Sequence, residues 1–265
     1  MKQSVKVSFI GAGRMTTSIV QGLSGNKKWN ITVSDRHPEK LARLKEKFDI
    51  TICNDNLECV SDTDLVILSV QPAKAFSVIK DLSSILLKNN TVLVSILGGT
   101  TLEKLLADLE QSVPAVHCMP NVCSAVKEGV TSMYANELVS IAQKQLVEEF
   151  FGDLGYAFWL SDDNLTDSVA AISGSGPAYC FFMMKIMQGI AEKFGISNSV
   201  ARHLVQHTFQ GAANLAIVND NSFDDLIKNV TTPKGSTEQA IKKLKENGVD
   251  QIFTEALTAA LKHKH

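Results

Sequence analysis

Five cysteines are spread over 265 residues without a C-x-x-C pair, which argues against a disulfide framework or a zinc knuckle. Cys53, Cys59, Cys118, Cys123 and Cys180 are therefore expected to be reduced, mostly buried thiols. The six histidines read as scattered, so no metal is expected. Neither sign of charge dominates: 26 Lys and Arg stand against 28 Asp and Glu, a net of -2. That balance gives no footprint for nucleic acid or for an anionic membrane surface. No apolar run is long enough to span a bilayer, and the run behind Lys2 and Lys6 stops at Gly11, too short for a signal peptide. The expectation is a cytoplasmic protein with neither nucleic acid nor membrane as partner. What is present is apolar residue in quantity, 45% of the chain, and a length that suits one large or two smaller domains with a sizeable core.

The first 160 residues alternate short β-branched runs with longer mixed segments, a βαβ rhythm. Predicted strands are Val5 to Ile10, Ile31 to Ser34, Leu65 to Val70, Val92 to Ile96 and Val113 to Cys118, with weaker signals at Ile50 to Cys53 and Ala157 to Leu160. Several are apolar on both faces, as in a buried parallel sheet. Pro38 to Phe48 reads as a helix opened by proline, with Leu41, Leu44 and Phe48 at helical spacing. From Leu165 onward the pattern is helical, through Ala178 to Phe194, Ser199 to Val218, Pro233 to Leu244 and Gln251 to Leu261. The predicted division is therefore residues 1–160 and 161–265. The second part is short and apolar on several helix faces, and Gly189, Gly211, Ala212 and Ala213 permit close helix contacts. Homo-oligomerisation through it is expected.

The strand Val5 to Ile10 runs straight into Gly11-Ala12-Gly13-Arg14-Met15-Thr16, a G-x-G-x-x-T at a strand-to-helix turn. In that context Gly11 permits the tight turn and Gly13 lets backbone approach a pyrophosphate, whose charge meets free N–H groups at the helix start. A plain glycine turn is the competing reading. The setting favours a dinucleotide, because Asp35 follows at the end of the second strand at the spacing of a ribose-binding acid. Thr16 departs from the usual Gly or Ala, implying looser packing or a hydroxyl bonded to a backbone carbonyl. Ser34-Asp35-Arg36 mixes two signals: Asp35 suits a ribose 2'-hydroxyl, whereas Ser34 and Arg36 suit a 2'-phosphate. Asn56, Val70, Gln71 and Pro72, with Leu97 and Gly98 after the fifth strand, complete the candidate cofactor contacts, the last groups flanking the nicotinamide half.

Four further segments stand in order: Met119-Pro120-Asn121, Ser173-Gly174-Ser175-Gly176-Pro177-Ala178-Tyr179, Gln210-Gly211-Ala212-Ala213, and Asn229 through Thr237, N-V-T-T-P-K-G-S-T. With the glycine loop they resemble the pyrroline-5-carboxylate reductase family along essentially the whole chain. The resemblance implies an α/β architecture, an amino-terminal Rossmann-like doubly wound parallel sheet followed by an all-helical dimerisation domain. It implies reduction of 1-pyrroline-5-carboxylate to proline by NADPH, or NADH, in a homodimer or larger homo-oligomer. By the same resemblance Asn229 touches cofactor and substrate, Thr237 sits against the imine nitrogen, and Asp163 lies near the substrate.

Read physically, residues 231–237 form a loop entering a helix, with Pro233 in the first turn and Thr232 or Thr231 as its cap. Backbone N–H groups of Gly235, Ser236 and Thr237, and the hydroxyls of Thr232 and Thr237, can hold a small carboxylate there; an ordinary capped helix start is the alternative. Asp163 reads equally as a helix cap before Leu165. Ser175 and the backbone around it either face the nicotinamide or serve helix packing, and Tyr179 fits core or interface. His117, in an apolar strand, reads as a satisfied core histidine rather than a catalyst. The departures from the family are Thr16, His117 where Arg is usual, and Lys234 where Gly is usual. A reductase of a different imine or 3-hydroxyacid, or a non-catalytic NAD(P)-binding regulator, remain the rival functions.

Overall fold

The structure, a computed structural model, describes residues 4–262. Eight strands form one sheet: β1 (Val5–Ile10), β2 (Trp29–Ser34), β3 (Thr51–Cys53), β4 (Leu65–Leu68), β5 (Val92–Ser95), β6 (Ala115–Met119), β7 (Gly129–Ala135) and β8 (Gly155–Trp159). Their order is β3-β2-β1-β4-β5-β6-β7-β8. The six from β3 to β6 run parallel in the 3-2-1-4-5-6 order of a dinucleotide-binding sheet. β7 pairs antiparallel with β6, and β8 parallel with β7. The reversal of strand order between β1 and β4 creates the crevice that such sheets use for ligands.

Helices cover both faces: α1 (Arg14–Leu23), α2 (Pro38–Lys47), α3 (Asn56–Val60), α4 (Pro72–Asn89), α5 (Leu102–Leu106) and α6 (Ile141–Gly152). One core gathers Val7, Phe9, Ile19, Leu41, Phe150 and Phe151. The other gathers Ile10, Val66, Leu68, Ile79, Leu82 and Leu105. Alternate residues of β1 thus point to opposite cores, and all four residues of β4 are buried, which is why its sequence, Leu-Val-Ile-Leu, shows no polar alternation.

A short α7 (Thr166–Val169) and a π-helical turn, Ala170–Gly174, lead to the remaining helices: α8 (Gly176–Lys193), α9 (Asn198–Ile217), α10 (Phe223–Asn229), α11 (Ser236–Glu246) and α12 (Val249–Lys262). Two compact units result, the first ending at Ser175 and the second running from Gly176 to Lys262. The division falls after the π-helical turn, later than the expected residue 160, because residues 163–175 pack with the sheet.

β7 lies where no strand was expected. Its run Gly-Val-Thr-Ser-Met-Tyr-Ala mixes small and polar residues, and Ser132 and Thr131 are nonetheless buried. Two expectations about side chains also need correction. Only Cys59 and Cys118 of the five cysteines are buried, and Cys180 is exposed; burial pushes the Cys59 thiol up to about 12. The histidines are not all scattered, since His203 and His207 stand one turn apart on α9 with ring centroids 6.5 Å apart. No group of three or more His, Cys, Asp or Glu able to hold a metal occurs among the described residues. No helix among those residues is long and apolar enough to cross a membrane.

Candidate functional site

Three residues turn the chain from β1 into α1. Gly11 has φ +111°, and a Cβ on it would lie 2.3 Å from the Ser69 carbonyl oxygen. Only glycine lets this loop pass against the one after β4. At Gly13 the same carbonyl would be 3.9 Å from a Cβ, so the approach to the helix start stays open. The N–H groups of Arg14 and Met15, at the first positions of α1, have no intrahelical acceptor, and Gly13 has no side chain to cap them. Thr16 does not loosen the packing. It is fully buried, donates to the Gly11 carbonyl at 2.7 Å and lies 2.9 Å from Ser69 Oγ, so its hydroxyl braces the loop.

A cleft of about 790 Å³ opens at the carboxyl ends of β1, β2 and β4. Gly11, Gly13, Ser34, Asp35, Arg36 and Asn56 line it, with Val70 and Gln71 from the loop after β4. Of the other residues expected around the cofactor, Ala12 is buried beneath the loop, Leu97 is buried beyond β5, and Arg14, Met15, Pro72 and Gly98 lie outside the lining. Asp35 is not a free ribose acid: Oδ2 accepts from Ala12 N at 2.8 Å and Oδ1 from His37 N at 2.9 Å. Ser34 Oγ donates to Asn56 Oδ1 at 2.7 Å. The sequence reading passed over His37, Lys40 and Lys74, which line the same cleft. Lys40 Nζ stands 3.8 Å from Asp35 Oδ2. The signal for Lys40 was present, a cation in the first turn of the helix after β2.

Beyond β5, His117 is a core histidine with both nitrogens engaged. Nδ1 lies 2.5 Å from Asp163 Oδ1 and Nε2 lies 2.8 Å from the Leu97 carbonyl oxygen. Asp163 Oδ2 accepts from Leu102 N at 2.6 Å, and Thr166 Oγ1 donates to Oδ1 at 3.1 Å. Asp163 is therefore buried within the first unit with both oxygens hydrogen-bonded. It is not the helix cap, which is Asp162, accepting from Asn164 N. Burial alone would push the Asp163 carboxyl up. The hydrogen bond and charge of His117, with the Leu102 N–H and the Thr166 hydroxyl, outweigh that and hold it below the ordinary carboxylate range. Because the folded value is the lower one, this carboxylate's stabilisation is present at neutral pH and is lost as pH falls through that range.

The Ser173 to Pro177 segment is a π-helical turn passing into α8, with Ser175 N bonded to Ala170 O at 2.9 Å. Pro177 sits in the first turn of α8, where its missing N–H costs nothing. Asn121 links this turn to the Met-Pro-Asn segment. Its Nδ2 donates to Ser173 O at 3.0 Å, and its Oδ1 accepts from Cys123 N at 3.1 Å and Val130 N at 3.3 Å.

In the second unit, α11 begins at Ser236 with Gly235 as its cap residue, not within Pro233 and capped by Thr232 or Thr231 as expected. Lys234 takes φ +61°, which ends any helical continuation from Pro233. Thr232 to Gly235 instead form a turn closed by Gly235 N donating to Thr232 O at 2.9 Å, with proline second and a left-handed residue third. That bond engages the Gly235 N–H, so of the expected anion donors only Ser236 N, Thr237 N and the threonine hydroxyls stay available. A Cβ on Gly235 would lie 2.4 Å from Thr232 Oγ1. Glu238 Oε2 accepts from Lys234 N at 2.7 Å. Asn229 is the last residue of α10, and Asn229, Thr232 and Thr237 are all exposed.

Residues 163–265 match the family model described as pyrroline-5-carboxylate reductase dimerisation, and residues 6–99 the model described as NADP oxidoreductase, coenzyme F420-dependent. The chain is 38% identical to a pyrroline-5-carboxylate reductase of Pseudomonas aeruginosa, over 96% of this chain and 94% of that one. The solved pyrroline-5-carboxylate reductase of Coxiella burnetii superposes with a TM-score of 0.89 at 36% identity, covering 98% of this chain and 97% of that one. The fold is shared, at 24% identity and a TM-score of 0.86, with the Plasmodium falciparum pyrroline carboxylate reductase solved with NADP bound, over 97% of this chain and 96% of that one. With that identity extending over nearly its whole length, the chain belongs to the pyrroline-5-carboxylate reductase family.

Proposed function

We propose that the protein reduces 1-pyrroline-5-carboxylate to L-proline with NADPH, working as a cytoplasmic homodimer or larger homo-oligomer. The observation that carries this reading is the 38% identity with a pyrroline-5-carboxylate reductase across 96% of the chain, which takes in both the cleft of the first unit and the Asn229 to Thr237 segment of the second. The cleft fits a dinucleotide: Gly11 lets the loop pass against the one after β4, the backbone at Gly13 stays open to approach, and the start of α1 offers unpaired N–H groups to a pyrophosphate. Arg36, Lys40 and Lys74 supply cations at the rim for a 2'-phosphate, while each oxygen of Asp35 already accepts one backbone N–H.

When bound, the reduced nicotinamide supplies a hydride from C4. The acceptor carbon of a cyclic imine is already electrophilic, more so when its nitrogen is protonated, so the chain's task is chiefly orientation. Reacting carbons must be held ~3 to 3.5 Å apart with water excluded. The N–H groups of Ser236 and Thr237, with the Thr232 hydroxyl, hold the substrate carboxylate. Asn229 flanks it, and the Thr237 hydroxyl hydrogen-bonds the imine nitrogen. A hydroxyl is a weak acid, so Thr237 orients the ring and relays a proton from water rather than ionising.

Following NAD(P)H absorbance with 1-pyrroline-5-carboxylate tests this, each cofactor in turn. Oxidation of NADPH is expected. Tight NADPH binding without oxidation would leave a cofactor-binding regulator, and turnover of another imine alone would leave the rival reductase. Thr237→Ala is expected to lower kcat by about tenfold or more with the oligomer intact; unchanged turnover removes Thr237 from the reaction.

A further inference from the structure

The segment joining β5 to α5 is held at both ends by one buried pair. At its start the Leu97 carbonyl accepts from His117 Nε2 at 2.8 Å, and at its end Leu102 N donates to Asp163 Oδ2 at 2.6 Å. His117 and Asp163 join each other at 2.5 Å, and Thr166 adds a hydrogen bond to the carboxylate. The Asp163 carboxyl faces one ring nitrogen and the Leu97 carbonyl the other, so the imidazole is gripped at both ends. His117 is 2% exposed and Asp163 7%, so no solvent competes for these bonds. Between the tied ends lie Gly98, Gly99, Thr100 and Thr101, with both glycines exposed and Gly99 at φ +78°. Such a stretch has little intrinsic preference for one shape. It stands at the carboxyl end of β5, beside the β4 end that carries Val70 and Gln71 of the cleft, and Ile96 N bonds Leu68 O across the two strands at 3.2 Å.

A buried hydrogen-bonded pair adds little net stability, but breaking it leaves a buried polar partner unsatisfied, and its strict geometry allows one arrangement. Fixing a glycine-rich segment is a task that suits it. We propose that His117 and Asp163 are positioning residues which fix the Leu97 to Leu102 segment against the nicotinamide half of the cofactor, and through it the approach of donor and acceptor carbons. This rests on the reading of the cleft as the NADPH site. The adenosine end is held elsewhere, on the glycine loop and the end of β2, so loosening the segment costs rate more than affinity.

The test compares Asp163→Asn and His117→Gln with the wild type by kcat, by KM and dissociation constant for NADPH, and by amide hydrogen exchange over residues 97–102. Expected are a fall in kcat of about tenfold or more, an NADPH dissociation constant within about threefold of wild type, and faster exchange confined to the segment. Leu86→Ala, buried in the core on α4 and away from the cleft, controls for lost stability: it lowers the thermal midpoint and leaves kcat per folded molecule unchanged. If the pair variants behave like Leu86→Ala, the pair is only structural and the proposal is overturned. Where both pair variants fail to fold, Thr166→Val removes one hydrogen bond to the carboxylate; it is expected to speed Leu102 exchange and lower kcat, and wild-type values for both overturn the proposal. Failure of the functional reading shows itself separately, as a wild-type chain that does not oxidise NADPH, while the exchange data still report whether the pair holds the segment.

Discussion

Asp35 stands where a ribose-binding acid belongs, yet its carboxylate is turned toward the protein, accepting from Ala12 N and His37 N. Two backbone donors already engage it, one on each oxygen, so a ribose hydroxyl meets only the lone pairs they leave. The cations around it face the other way in chemical terms: Arg36, Lys40 and Lys74 line the same cleft and favour a phosphate. Arg36→Ala is therefore expected to raise KM for NADPH by about tenfold or more, since a hydrogen bond to a charged group is worth ~1.5–3 kcal/mol, while leaving KM for NADH nearly unchanged. Steady-state kinetics with both cofactors decides it, and an equal effect on the two would move Arg36 away from the 2'-phosphate. At this scale the sequence disclosed the residue types but not their pairing. Asp35 was legible as an acid after a strand; that its oxygens serve the glycine loop depends on a contact between β1 and β2 that no spacing reveals. Likewise His117 was legible as a satisfied core histidine, whereas its pairing with Asp163, 46 positions away, was not, because distance along the chain says nothing about distance in space.

Elements were legible where one force dominated. β4 and β5 are short apolar runs buried at every position, and β1 and β2 are β-branched runs buried at most of theirs, so their composition marks them, and Pro38 opens α2 at the position where proline is favoured. β7 escaped because pairing with β6 and β8, not hydrophobicity, makes Gly129–Ala135 a strand. The start of α11 was misplaced for a local reason: Pro233 is as well suited to the second position of a turn as to a first helical turn. Lys234 decides between them by adopting φ +61°, a region that costs a residue bearing a Cβ ~1 kcal/mol or more. Lys234→Gly relieves that strain and is expected to stabilise the turn by ~0.5–1 kcal/mol, read as a higher thermal midpoint. If the lysine ammonium also draws the substrate carboxylate, the same variant raises KM for 1-pyrroline-5-carboxylate with kcat preserved. A thermal midpoint at or below that of the wild type would show that the left-handed turn carries no strain.

At the scale of the whole molecule the two units differ in what they cover. The first buries two cores on either side of its sheet and closes on itself. Along the helices from Gly176 to Lys262, by contrast, Phe181, Phe182, Phe194, Ile217, Val218 and Phe223 are each at least 60% exposed, and α10, α11 and α12 contain no buried residue. Apolar exposure on that scale marks an interaction surface on a folded protein. The part of the chain that carries it, 163–265, matches a family model described as dimerisation, so the covering surface is a second copy of the same helices. Such a unit has no adequate core without its partner, and its folding is coupled to association. The thermal midpoint is then expected to rise with protein concentration, and sedimentation at micromolar concentration to give a dimer or a larger even-numbered assembly. A monomer with a concentration-independent midpoint would mean that the exposed phenylalanines tolerate water, and the assignment of this half to self-association would fall with it.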